Sequence, residues 1–203
     1  MQERSRASTE RMIAAATALF LAGGYEAVTA SEVARGAGVA VGTIYGRFGN
    51  KDGLVKAVQA GLLAQIETAI DALGTSPGWP GAADGVLGVS DWIAALAALL
   101  DAHASDLQPI MQHAAIDPST AEMGRGSYEH LYETFVAALA DGREGAASVR
   151  GREACGHCFV IAYASFARAL GLGTSPDAAD RASLPTLTRV LGDMCEAYLA
   201  KAC

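Results

Sequence analysis

Residues 29–52 read TASEVARGAGVAVGTIYGRFGNKD, a stretch punctuated by Gly36, Gly38, Gly42, Gly46 and Gly49. Thr29-x-x-Glu32 has capping-box spacing, in which the hydroxyl accepts from the amide three residues on and Glu32 reaches back. It predicts a short helix whose apolar side is Val33, Ala34 and Ala37. Gly38 is the position for positive φ, which turns the chain sharply into a third helix over Val41–Phe48. Gly49-Asn50 ends that helix, and Asn50 can cap a fourth. Two short helices around the Ala37-Gly38-Val39-Ala40 turn have the helix-turn-helix shape. In the third helix Ile44 and Phe48, four apart, supply the buried side. Gly42, Thr43, Tyr45, Gly46 and Arg47 leave the other side slim and rich in hydrogen-bonding groups, suited to a major groove about 12 Å wide. The spacing alone serves an ordinary core hairpin equally well.

Before this stretch, Met12, Ala15, Ala16, Leu19 and Phe20 form one helical stripe within residues 5–22, stopped at Gly23-Gly24. Tyr25 to Val28 reads as a connector. After it, Leu54, Val58, Leu62, Ile66 and Ile70 line one face of a long helix from Lys51 to about Leu73. Residues 74–89, rich in Gly, Pro and small side chains, read as the linker. Further helices are expected near 90–104, 106–115, 119–140, 151–171 and 178–201. Pro109, Pro118, Pro176 and Pro185 fall near their starts, although Pro109 and Pro185 read equally as kinks. The expected architecture is all-α with about nine helices.

The composition agrees: 51% of the 203 residues are hydrophobic and only 6% aromatic, so a large core is available and it favours helices. No apolar run reaches the length of a membrane span, and Met1 to Glu10 is polar with no signal-like cleavage site after it. A cytoplasmic location and no membrane partner are expected. The net charge of −7 is unevenly spread. Residues 1–60 hold seven Lys/Arg against five Asp/Glu, and the remainder eight against seventeen. A mildly basic head on an acidic body fits a protein that meets phosphates only at one end. No spacing sets up a nucleophile and base or paired carboxylates, so catalytic residues, cofactors and enzymatic activity are not expected.

With its residues read, the N-terminal part resembles the tetracycline-repressor (TetR) family of bacterial regulators. The shared positions are Leu19-Phe20, Gly24-Tyr25, Val28-Thr29, Val33-Ala34, Ala37-Gly38-Val39-Ala40, Gly42-Thr43-Ile44-Tyr45, Arg47-Phe48 and Asn50-Lys51-Asp52. They cover about residues 9–58. Ala40 stands where the family usually has Ser, so the third helix forgoes a side-chain cap worth about 1 kcal/mol. Val28 replaces a threonine, and Arg47 replaces Tyr or His. The resemblance implies a DNA-binding domain over 1–52 and an effector-binding and dimerisation domain over 53–203. It implies a homodimer on double-stranded operator DNA, released by a small-molecule effector. Thr43, Tyr45 and Lys51 would contact phosphates with Thr29, which is equally a plain cap, and Val41, Gly42 and Arg47 would lie in or beside the groove.

Beyond the head, the same resemblance implies an apolar ligand pocket with Trp92, Leu96, Met111, His113, Tyr132, Phe135 and Tyr163 as candidate lining. It also implies a dimer interface on the last two helices, carried by Phe159, Ala162, Phe166, Leu170, Leu187, Val190, Leu191, Met194 and Tyr198. A monomeric core explains these stripes as well. Cys155-Gly156-His157-Cys158 leaves three readings: structural thiols, a redox pair, or a metal site completed by His103, His113 or His130. The last is hindered because helical neighbours point about 100° apart. No metal ligands are assigned. A redox- or metal-sensing regulator on Cys155, His157 and Cys158 is the alternative function.

Overall fold

The computed structural model describes residues 2–73, 87–141, 145–146, 148–172 and 179–202. They form nine α-helices among the described residues. These are α1 (Gln2–Ala27), α2 (Ala30–Ala37), α3 (Val41–Phe48), α4 (Lys51–Asp71), α5 (Val89–Ala102), α6 (Ala104–Ala114), α7 (Pro118–Ala140), α8 (Val149–Ala169) and α9 (Leu184–Ala202). Contacts divide the chain into two compact units, Met1–Gln65 with Ser105–Gly124, and Ile66–Ala104 with Arg125–Cys203.

In the first unit α1 packs on α2 and α2 on α3. α1 is interrupted where its glycine pair predicts, at Gly23 and Gly24, which leave helical geometry. Met12, Ala16 and Phe20 are sealed, as are Val33, Ala34 and Ala37 of α2 and Leu54, Val58 and Leu62 of α4. Gly38 adopts φ +65°, ψ 43°, the left-handed conformation that a side chain would strain, and its amide bonds Ala34 O. Thr29 Oγ1 accepts from the Glu32 amide at 3.2 Å. The second half of the capping box does not follow, because the Glu32 carboxylate takes the Arg35 guanidinium instead. Asn50 Oδ1 accepts from the Gly53 amide at 2.8 Å and so starts α4. A Cβ on Gly53 would stand 2.1 Å from the Phe48 carbonyl oxygen, so the end of α3 seats directly on the first turn of α4.

In the second unit α9 packs on α5 and α8, and α5 on α8. Ile93, Leu96 and Leu100 of α5, Phe135 and Leu139 of α7, Phe159, Ala162 and Phe166 of α8, and Leu199 of α9 build the core. Phe159 is its hub, with the rings of Tyr128, Tyr132, Phe135 and Tyr163 between 5.3 and 5.6 Å away. Ring pairs at such spacing add about 0.5–1.5 kcal/mol each beyond area burial.

Several positions differ from the sequence reading. α8 starts at Val149 rather than 151, because Ser148 Oγ accepts from the Gly151 amide at 3.0 Å. The last helix starts at Leu184 rather than 178; a 3-10 turn at Arg181–Ser183 precedes it, and Pro185 occupies its first turn, where no amide is needed. Pro109 lies inside α6, not at its start. Pro176 and most of the expected linker, residues 74–86, lie outside the described residues.

Candidate nucleic-acid interface

α3 is short, and its orientation follows from one anchor. Ile44 is 1% exposed and Phe48 half-buried, so the intervening positions turn outward. Val41, Gly42, Thr43, Tyr45, Gly46 and Arg47 are all exposed, Tyr45 by 51%. Ala40 makes no side-chain cap, and the turn closes instead through the Thr43 amide to Ala40 O at 2.9 Å. The outer surface of α3 therefore carries one hydroxyl, one phenol and one guanidinium on a narrow backbone, the chemistry that meets phosphate oxygens and base edges.

Each remaining candidate in the head has a definite place. Thr29 is exposed and already serves as the cap of α2. Arg47 is drawn toward the start of α1: Nη2 donates to Ser5 Oγ at 2.5 Å and to Ser5 O at 3.3 Å. Lys51 sits 3.9 Å above the Tyr25 ring and 3.6 Å from Glu26 Oε2. Val28, at the position of a family threonine, is sealed. Its side chain therefore faces the core and not a phosphate.

Tyr25 is the residue whose role the sequence reading passed over. Its hydroxyl donates to Asp52 Oδ1 at 2.5 Å, its ring takes Lys51 on one side, and it stacks on His113 of α6 with centroids 4.5 Å apart. The bond to Asp52, then burial and the Asp52 charge, push the phenol up to about 12. His113 in turn lies 2.9 Å from Gln59 Nε2 and 3.1 Å from Thr120 Oγ1. Gln59 and Thr120 are fully buried, so this polar group is satisfied internally. Asp117 accepts from the Thr120 hydroxyl and amide, and those bonds hold it below the ordinary carboxylate value.

Residues 12–58 match the family model described as bacterial regulatory proteins, tetR family. They belong to the TetR family. The TetR-family head accounts for the helix-turn-helix and its outward α3, and this region is a DNA-binding element of a transcriptional regulator. The whole chain has the fold of several solved regulators. It is similar to Salmonella enterica GusR, with 19% identity over 95% of each chain and a TM-score of 0.64. It is similar to a transcriptional regulator from Rhodococcus sp. Rha1, with 19% identity, 92% of this chain and 95% of that one covered, and a TM-score of 0.66. The fatty acid degradation regulator FadR from Bacillus halodurans shares 16% identity over 91% and 94%, with a TM-score of 0.58. A search of curated protein sequences finds no significant match.

Outside the TetR-family head, the candidate pocket residues fall into both units. Met111 and His113 belong to the first, and Trp92, Leu96, Tyr132, Phe135 and Tyr163 to the second. Within the second, Trp92 meets Phe135 edge-on at 6.4 Å, and Tyr132 and Tyr163 flank Phe159. Burial pushes the Tyr163 phenol up.

The candidate interface residues divide by helix face. Phe159, Ala162 and Phe166 are fully buried, and Leu170 and Leu191 nearly so; they face the core of their own unit. Leu187 is half-buried, while Val190, Met194 and Tyr198 are exposed. Val160 and Ile161, one and two positions beyond Phe159, are exposed too. Of these, Val160, Ile161, Met194 and Tyr198 border a groove of about 450 Å³ between α8 and α9. The metal reading of the cysteine motif is corrected here. Among the described residues no three metal-ligating side chains converge. Cys155 and Cys158 are buried, while His157 is exposed with Nδ1 3.1 Å from the Tyr198 hydroxyl oxygen. Of the proposed fourth ligands, His130 lies 2.7 Å from Asp71 Oδ1 and His113 is engaged as above.

Proposed function

We propose that the chain is a homodimeric repressor that binds operator DNA through α3 and leaves it when a small apolar ligand enters residues 53–203. The observation that carries this reading is the outward side of α3, where Thr43 and Tyr45 are exposed over a single sealed anchor, Ile44. Thr43, Tyr45, Lys51 and Thr29 bind phosphates, and Val41, Gly42 and Arg47 sit in or beside the major groove. Lys51 reaches phosphate from its seat on Tyr25, which holds the ammonium at the start of α4.

A second copy supplies the second head. Two-fold symmetric heads read half-sites about one DNA turn apart. The exposed side chains of α8 and α9, Val160, Ile161, Met194 and Tyr198, form the apolar face on which the copies pair. The protein acts in the cytoplasm, where its DNA is, and residues 1–52 and 53–203 divide binding from response.

Footprinting of the purified protein on the intergenic DNA beside its own gene, at low salt, tests the reading. A protected palindromic site is expected at nanomolar protein. Uniform binding with no footprint up to micromolar protein would overturn it.

A further inference from the structure

The groove on the outer side of α8 and α9 has sulfur in its lining. Cys158 of α8 and Cys195 of α9 both line it, and they are 2% and 5% exposed. The Cys158 thiol donates to the Cys195 sulfur across the helix–helix seam, and this bond holds Cys195 below the ordinary thiol value against the opposing effect of burial. Cys155, the other member of the C-x-x-C motif, is sealed and is not among the described residues that line the groove. The pairing in space thus joins two helices and differs from the pairing that the motif suggests.

We propose that Cys158 and Cys195 form a reversible dithiol–disulfide site whose oxidant is a hydroperoxide, and that its oxidation weakens pairing of two copies along this face. The second half rests on the dimer reading above. The Cys195 thiolate attacks the terminal peroxide oxygen; the O–O bond breaks, and an alcohol (water, from hydrogen peroxide) leaves with a proton. Cys195 is then a sulfenic acid. The Cys158 sulfur attacks the Cys195 sulfur, the S–O bond breaks, and water departs with the Cys158 proton as the S–S bond forms. Two thiols lose two electrons in all, and the hydroperoxide gains them. A dithiol reductant reverses the step.

A disulfide draws the two sulfurs to about 2.05 Å, well inside hydrogen-bonding distance, and closing that gap reshapes the packing of α8 on α9 at this level. Met194, next to Cys195 in sequence, and Ile161, three residues beyond Cys158, belong to the pairing face and move with them. A seated second copy covers the groove, so oxidation proceeds on the separated protomer and holds it in that state.

The test uses the full-length reduced protein treated with hydrogen peroxide, followed by intact mass and peptide mapping. The expected result is a loss of about 2 Da per chain, with the Cys158 and Cys195 peptides linked and dithiothreitol restoring the mass. Cys155→Ala should behave alike, and Cys158→Ala or Cys195→Ala should abolish the link while circular dichroism stays helical. A link through Cys155 or Cys203, or only sulfinic and sulfonic products in the wild type, would overturn the site. Sedimentation of the oxidised wild type should show dimer dissociation shifted on the order of tenfold toward monomer; an unchanged constant overturns the coupling. Because mass mapping involves no DNA, a failed footprint beside an intact link would sink the regulator reading and leave this site standing.

Discussion

The outer side of α3 and the outer side of α8 are built alike and finished differently. Each helix sinks an anchor, Ile44 in one and Phe159 in the other, and turns other nearby side chains to solvent. On α3 those neighbours are Thr43, Tyr45 and Arg47; on α8 they are Val160 and Ile161, joined by Met194 and Tyr198 of α9. A polar outer side keeps its water until phosphate oxygens replace it, so it is stable alone and binds a charged partner. A contiguous apolar outer side gains only when water leaves it, so it calls for a dry partner of matching shape. The inner anchor thus sets folding, and the outer neighbours set what is bound.

Substitutions across this division should separate stability from association. Phe159→Ala removes the aromatic hub and should cost about 3–5 kcal/mol in denaturant melts. Val160→Ala, one position on, should stay within about 0.5 kcal/mol; equal losses would break the inner–outer distinction. In the head, Thr43→Ala with Tyr45→Ala should lower operator affinity on the order of a hundredfold, as loss of two charge-assisted hydrogen bonds does. The melt should hardly move. Ile161→Asp should leave helicity intact and push sedimentation at least about tenfold toward monomer, since a charge must then be desolvated at the seam. Tight dimers of this variant would place the pairing face elsewhere.

Two smaller effects sharpen the polar side. Arg47→Ala should flatten the dependence of log affinity on log salt by about one phosphate's worth. An unchanged slope would mean that Arg47 serves only to hold Ser5. Tyr25 titrates at about 12 in the folded head against an ordinary value near 10. A raised value stabilises the folded form below pH 10 and loses that contribution as pH climbs toward 12. Alkaline melts of the wild type should therefore fall over that interval more than those of Tyr25→Phe.

The head was legible because its short helices each carry one apolar stripe and explicit punctuation. Gly38, Asn50 and the Ile44 anchor all act as their residue types dictate. Glu32 defeated the capping-box rule because a local Arg35, three residues on, competes for the same carboxylate. Tyr25 was opaque: its ring is held by Lys51 next to it in space and by His113 from a distant helix, which no local pattern encodes. α8 was ambiguous for a different reason. Its middle, Cys158–Ala164, is apolar all round, so periodicity placed Phe159 on the expected interface and passed over Ile161, and only packing against α5 and α9 tells inside from outside. The Cys158–Cys195 pairing likewise joins positions 37 residues apart in sequence.

The missing side chain at Gly53 has a mechanical meaning. With the Phe48 carbonyl resting where a methyl group would be, α3 has no play against the first turn of the rod behind it. A tilt of residues 51–65 would pass to α3 undiminished, as through gears cut without backlash. A bulkier residue at 53 would push the Phe48 carbonyl aside and open slack between the two helices.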